Sequence, residues 1–269
     1  MRKKILGLAL SSLAVLAPAA TSAATAEALL RAKCLPCHTE SSEGISRIGQ
    51  QRKTPEGWLM SIARMQLIHG LKVSDEERRT LVKHLADRQG LAPSETAGVR
   101  YALERRLNTM ETFESSQFTE MCARCHSGAR VLLQRRPASE WEHLVHFHLG
   151  QFVTAEYQAL GRDRDWFGIA VKEMVPELAK TLPLQSEAWT QWQASAAQPV
   201  NGNWTLSGHM SGRGGFSGVM KVSGGAGENR HQLSFEGRWD DGKPMRATGQ
   251  ALIYTGYEWR ADLDVDGTP

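Results

Sequence analysis

A mainly helical segment of two similar lobes, followed by an all-β antiparallel segment of sandwich or barrel-like form, is the fold class this sequence predicts. Three observations predict it. The pentad Cys34-Leu35-Pro36-Cys37-His38 returns as Cys122-Ala123-Arg124-Cys125-His126, and the two pentads use all four cysteines of the 269-residue chain. Around each pentad the order of elements repeats: a lead-in helix, the pentad, a polar or basic loop, then a proline and a helix bearing Trp58 or Trp141. From Pro199 onward the composition changes, with 14 of the 25 glycines between Gly202 and Gly267 among runs of alternating apolar and polar residues.

The chain opens Met1-Arg2-Lys3-Lys4, continues apolar from Ile5 to about Leu16, and reaches small residues around Ala20 to Ala26. A charged start, a short apolar core and small residues at the end predict a secretory signal peptide over 1–24, cleaved near Ala23 or Ala24. The apolar core is short of the ~20 residues that span a bilayer, and no later stretch reaches that length. Cleavage removes three basic residues, so the formal charge of +3 falls to about zero. Net charge therefore gives no case for a nucleic-acid partner.

The first lobe is expected over 25–93. Thr25 to Lys33 reads as a short helix that delivers the first pentad, and Thr39 to Lys53 as a polar loop. Thr54 and Pro55 then supply an N-cap and a first helical residue, and Gly70 a stop. Ser74-Asp75-Glu76-Glu77 fits a capping box, whose helix runs to about Arg88 with Leu81, Val82 and Leu85 on one face. The second lobe is expected over 94–195. Ser94 to Phe118 reads as one long helix with a solvated charged face. The pentad, a basic loop from Arg130 to Arg136 and a helix from Trp141 to Gln151 follow, with helix-like sequence to about Gln193. After a linker from Gln193 to Val200, the β segment over 200–269 has five expected strands: 204–207, 216–220, 232–239, 246–254 and 257–265. Asp240-Asp241-Gly242-Lys243 is a turn between two of them. The chain stops just after the last strand, which suggests an incomplete domain.

Each C-x-x-C-H pentad is the spacing for covalent attachment of a c-type haem. Two cysteines form thioethers to the porphyrin vinyl groups, and the adjacent histidine ligates the iron. Cys34, Cys37, Cys122 and Cys125 are therefore the attachment residues of two haem c groups, and His38 and His126 the proximal ligands. A zinc or redox C-x-x-C is the alternative, and two pentads that exhaust the cysteines leave it little room. When Trp58 is aligned with Trp141, Met65 falls opposite His148, seven residues on and hence on the same helical face. Met65 is favoured as sixth ligand of the first iron, with Met60 and His69 as competitors and His84 as a surface residue. His148 is favoured for the second iron, with His143 and His146 as rivals on other faces. The ordinary alternative for such a stripe is plain core. A thioether ligand raises the potential relative to imidazole, so electrons are expected to enter at the second haem and leave through the first.

The two pentads, the paired Pro55-Glu56-Gly57-Trp58 and Ser139-Glu140-Trp141, the runs Ser74 to Arg79 and His146 to Phe152, and a β segment opening Gly202-Asn203-Trp204 form a distinctive combination. It resembles the α subunit of quinohemoprotein amine dehydrogenase over essentially the whole mature chain. The resemblance implies a dihaem cytochrome c domain followed by a first β domain, truncated here. It further implies a periplasmic complex with a β-propeller subunit and a small subunit carrying cysteine tryptophylquinone. That complex oxidises primary amines to aldehydes and passes electrons to a soluble copper protein or cytochrome c. A cysteine-crosslinked quinone needs a spare cysteine, and this polypeptide has none. The expected role is thus electron conduit, with no catalytic residue assigned. A dihaem peroxidase, which needs an open iron position, and a free-standing dihaem carrier are the competing readings.

Overall fold

The computed structural model describes residues 21–100, 111–158, 161–195, 199–225 and 230–266. Of the expected leader over 1–24, residues 1–20 lie outside them and 21–24 belong to the first helix. α1 (Thr21–Cys34) runs into the first pentad and buries Ala26 and Leu30. The hairpin β1 (Glu40–Ser41) and β2 (Gly44–Ile45), the short β3 (Arg52–Lys53), α2 (Pro55–His69) and α3 (Asp75–Arg88) follow. Local chemistry sets the helix ends where the sequence predicts them. Thr54 Oγ1 accepts from Gly57 N, and Gly70, in the left-handed region at φ +73°, donates to the Met65 carbonyl. Ser74 Oγ accepts from Glu77 N while Glu77 accepts from Ser74 N, the reciprocal capping box.

The expected long helix from Ser94 to Phe118 does not form. α4 (Pro93–Thr96) is one turn long and ends as Ala97 turns extended and Gly98 takes φ +81°. Residues 101–110 lie outside the described residues, 111–115 are not helical, and α5 (Ser116–Cys122) then delivers the second pentad. α6 (Ala129–Leu132), β4 (Gln134–Arg135) and α7 (Ala138–Gln151) come next. The expected continuous helix after α7 is interrupted by a 3₁₀ turn (Val153–Ala155) and a hairpin, β5 (Tyr157–Gln158) and β6 (Gly161–Arg162). α8 (Trp166–Ile169) passes through a π segment (Ala170–Met174) into α9 (Val175–Thr181). Pro176 lacks the N–H that would bond the Lys172 carbonyl, which accounts for the widened turn. α10 (Glu187–Ala194) ends the helical part.

The expectation of two cytochrome c lobes is overturned here. The helical part has two cores, one around Trp58, Leu81 and Leu85 and one around Trp141, Trp166 and Met174, but they belong to one fused body. β3 pairs antiparallel with β4, so one strand from each half shares a ladder. Beside it, Arg52 and Glu95 make two 2.8 Å hydrogen bonds, Arg135 Nε lies 3.2 Å from Glu95 Oε1, and Ser186 Oγ donates to the same oxygen at 2.8 Å. Glu95, expected on a solvated face, is thus buried. Leu91, Ala129 and Leu133 close the seam with a small apolar cluster.

β7 (Gly202–Met210), β8 (Gly214–Gly224), β9 (Arg230–Trp239), β10 (Pro244–Tyr254) and β11 (Glu258–Val265) form one antiparallel meander in chain order. This corrects the sandwich or closed barrel: β7 and β11 are the two edges and do not pair with each other. One face is covered by the sheet's own curvature, with Phe235, Met245, Ala247 and Ala251 buried. Gly218 and Gly237 face each other across β8 and β9, and the Phe235 ring packs on both. A side chain at either would meet backbone, so the pair lets the sheet coil. The β10–β11 turn docks on the helices. Thr255 Oγ1 donates to the Ala86 carbonyl at 2.9 Å, Tyr257 Oη to the Leu91 carbonyl at 3.0 Å, and Trp192 Nε1 to the Thr255 carbonyl at 2.9 Å. Tyr254 completes the first helical core.

Candidate haem sites

Each pentad begins on the last residue of a helix. After α1, Cys37 N and His38 N both donate to the Cys34 carbonyl, at 3.1 and 2.9 Å, winding Cys34, Cys37 and His38 into one turn. His38 Nδ1 lies 2.9 Å from the Ser46 carbonyl, which holds the ring and leaves Nε2 free. α5 delivers Cys122 in the same way, and His126 Nδ1 lies 2.9 Å from the Ser127 carbonyl. Cys34 and Cys122 are half-buried against their cores and Cys37 and Cys125 are exposed. Burial pushes the Cys34 thiol to about 11 and the Cys122 thiol to about 12. Both are neutral thiols, unlike the acidic thiolate of a redox C-x-x-C.

The second pentad opens on a cavity of about 490 Å³, lined among others by Cys122, Cys125, His126, Trp141, Val145, His148 and Trp166. His148 is brought there by α7, with its Nδ1 2.7 Å from the Leu144 carbonyl and its Nε2 free. Burial, the largest cause, lowers its pKa, keeping the imidazole neutral as a ligand must be. The His126 and His148 ring centres are 6.4 Å apart. An imidazole bound at about 2.0 Å puts its ring centre about 3.1 Å from the metal, so two axial imidazoles on one iron stand about 6.3 Å apart. The residues present therefore fit a haem held between two histidines. His143 and His146 are exposed and turn to Glu140 and Glu142, away from the cavity. Among the described residues no cluster of three or more His, Cys, Asp or Glu side chains could hold a metal ion, whereas haem iron asks the protein for only two ligands.

The first site is less open. Trp58 and Ile62 are buried in its core and Met65 is half-buried on α2. His38 has no facing ring among the described residues. His69 is exposed at the end of α2. His84, expected on the surface, is buried, with Nε2 3.0 Å from Glu27 Oε2.

Sequence reasoning followed one face of α2 and missed the other. Gly57, Met60, Ser61 and Arg64, together with Lys53, line the second cavity, although they belong to the first half. Their spacing of three and four residues is helical, so a stripe was there to be read. α2 thus stands between the two sites, with Trp58 and Ile62 towards the first core and Met60 and Arg64 towards the second cavity. Among the described residues, buried donors on the cavity wall lack hydrogen-bond acceptors: Trp141 Nε1 and Arg164 Nε, while Arg164 Nη1 has only the Asp163 carboxylate, 3.6 Å away.

Two pentads whose histidines are oriented by backbone carbonyls, one of them facing a second histidine at iron-spanning distance, define a haem-binding protein. Family models say which. The haem-binding domain of the quinohemoprotein amine dehydrogenase A, alpha subunit, matches residues 24–189, and alpha subunit domain II of the same enzyme matches 197–269. The chain belongs to the quinohemoprotein amine dehydrogenase alpha-subunit family. No curated protein sequence matches the chain. Among the described residues no helix is long and apolar enough to cross a membrane.

Proposed function

We propose that this chain is the dihaem c electron-transfer subunit of a periplasmic quinohemoprotein amine dehydrogenase. It relays electrons from a quinone on a partner subunit, where primary amines are oxidised to aldehydes, to a soluble copper protein or cytochrome c. The observation that carries the reading is the His126–His148 pair, 6.4 Å apart with both Nε2 atoms free, over a C-x-x-C-H pentad. Haem supplies a one-electron couple at its iron. The protein's part is to attach it through Cys34, Cys37, Cys122 and Cys125, to ligate it through His38, Met65, His126 and His148, and to close it from water. Two side-chain ligands to each haem would suit electron transfer rather than peroxide chemistry. α2 carries residues of both sites, Trp58 and Ile62 in the first core and Met60 and Arg64 on the second cavity. Residues 1–24 act as the export signal.

The test is capture of the tagged native chain from the periplasm, with subunits and haem read by mass spectrometry. Two covalent haems, a β-propeller subunit and a small quinone-bearing subunit are expected. A chain that comes down alone, or with haem on one pentad, defeats the reading.

A further inference from the structure

The wall of the second cavity carries more positive charge than the protein neutralises. Lys53 and Arg136 are buried and Arg64 is half-buried, and all three line the cavity. Lys53 Nζ donates to the neutral Ser61 Oγ at 2.7 Å and sits 5.2 Å from the Trp58 ring centre. Arg64 lies 4.5 Å over the Phe147 ring and has no carboxylate partner among the described residues. Arg136 Nε donates to Gln134 Oε1 at 2.9 Å, and its Nη1 reaches Glu140 Oε2 only at 3.5 Å. That carboxylate is shared, with Gln51 on Oε2 at 3.0 Å and Arg47 and His143 on Oε1 at 3.4 and 3.1 Å.

Lys53, Arg64 and Arg136 thus have one nearby carboxylate, Glu140, which Arg47 also shares, so positive charge at this wall outruns its protein partners. Burial and the neighbouring arginines push the Lys53 pKa well down. An uncompensated buried charge is costly, so this arrangement is complete only with an anion beside it. The Trp141 indole N–H points the same way. The Trp141 side chain is almost wholly buried and lines the cavity, its ring centre lies 5.7 Å from the Arg136 guanidinium, and its N–H has no acceptor among the described residues. Trp58, its counterpart in the repeat, donates to the Gln89 carbonyl at 3.1 Å. The repeat thus supplies the acceptor from protein in one half and omits it in the half with the cavity.

We propose that Lys53, Arg64, Arg136 and the Trp141 N–H anchor the two propionate carboxylates of the haem at the second pentad, an anchor built from both halves of the helical body. The propionates would supply the negative charge that these cations lack and an acceptor for the indole N–H. Lys53 and Arg64 come from β3 and α2, so haem attached at Cys122 and Cys125 also ties the first half to the second. The inference rests on the reading that a c-type haem occupies this pentad.

The experiment is a redox titration of the native, haem-loaded protein, with each haem followed by its own electron-paramagnetic-resonance signal. Removing a cation beside a haem favours the ferric state. Lys53→Met and Arg136→Gln are each expected to lower the midpoint of the second haem and leave the first in place. The charge-keeping Arg136→Lys is expected to restore it. Trp141→Phe is expected to shift the propionate-bending band in resonance Raman spectra. Should Arg136→Gln fail to fold, Lys53→Met and Trp141→Phe decide the matter. Unchanged midpoints and an unchanged band with both haems loaded overturn the anchor alone, as do two midpoints that move together, the mark of general loosening. Absence of haem from Cys122 and Cys125 in the wild-type chain overturns the anchor together with the reading beneath it.

Discussion

The two pentads are alike in residue pattern and unlike in surroundings. Each starts on the last residue of a helix, and each histidine is turned by a carbonyl hydrogen bond from Nδ1. Around the first, Trp58, Ile62, Leu81 and Tyr254 pack into a core. Around the second, Trp141 and Val145 edge an open cavity across which His148 faces His126. On the proposed reading, attachment follows from the repeated pentad, while ligation and charge follow from what lies opposite. Part of what lies opposite the second pentad is borrowed from the first half, through Lys53, Met60 and Arg64.

The sharpest break in this comparison is at the sixth ligands. With haem loaded, His148→Ala should convert the second iron from low-spin to high-spin and leave the first untouched, read by electron paramagnetic resonance. Met65→Ala should do the converse, removing the His/Met signature of the first iron. A low-spin signal that survived His148→Ala would move the ligand to another residue. A His/Met signature that survived Met65→Ala would remove Met65 from the ligand set.

The seam between the halves gives the next largest effect. Glu95 is held by Arg52, Arg135, Ser186 and the Ala92 N–H. Removing one partner of a buried ion pair costs about 3–5 kcal/mol, so Glu95→Ala should lower unfolding stability by that order in chemical denaturation. Glu40→Ala, which breaks the exposed pair with Arg31, should leave stability nearly unchanged. Burial alone raises the Glu95 pKa, but the Arg52 hydrogen bond leads the contacts that outweigh it and bring the carboxyl to about 2. Because the folded value lies below the unfolded one, near 4.3, this stabilisation is complete above about pH 4.3 and lost as pH falls towards 2. Acid unfolding of wild type should show that loss, and Glu95→Gln should flatten it.

This seam also shows where the sequence was readable. Thr54, Gly70, the Ser74–Glu77 box and the Asp240–Lys243 turn act within a few residues of themselves, and each does what local chemistry predicts. Five strands were visible from alternation. That they stop at one open sheet was not, because closure depends on what the edges meet. Arg52, Glu95 and Arg135 are separated by some forty residues at each step, and no local period marks them. Glu95 read as one more charge on a solvated helix, and His84 as a surface residue, for the same reason. The α2 face towards the second cavity did have a helical period. It was missed because Gly57, Ser61 and Arg64 are not apolar, and a stripe was sought only in apolar residues.

The finest contrast is between the two tryptophans. Trp58 Nε1 has an acceptor in the Gln89 carbonyl, which also accepts from Lys53 N at 2.9 Å. Trp58→Phe leaves that carbonyl satisfied and should cost about 0.5–1 kcal/mol for the lost hydrogen bond. Counted over protein atoms alone, Trp141→Phe should cost less, since its N–H has no acceptor to lose. In the haem-loaded chain the order should invert. A hydrogen bond to a charged carboxylate is worth about 1.5–3 kcal/mol, and the phenylalanine ring cannot replace it. Thermal unfolding of the two loaded variants, each against wild type, reads the difference directly. Equal losses would mean that the indole N–H at position 141 has no charged partner, and that the asymmetry between the halves ends at the iron.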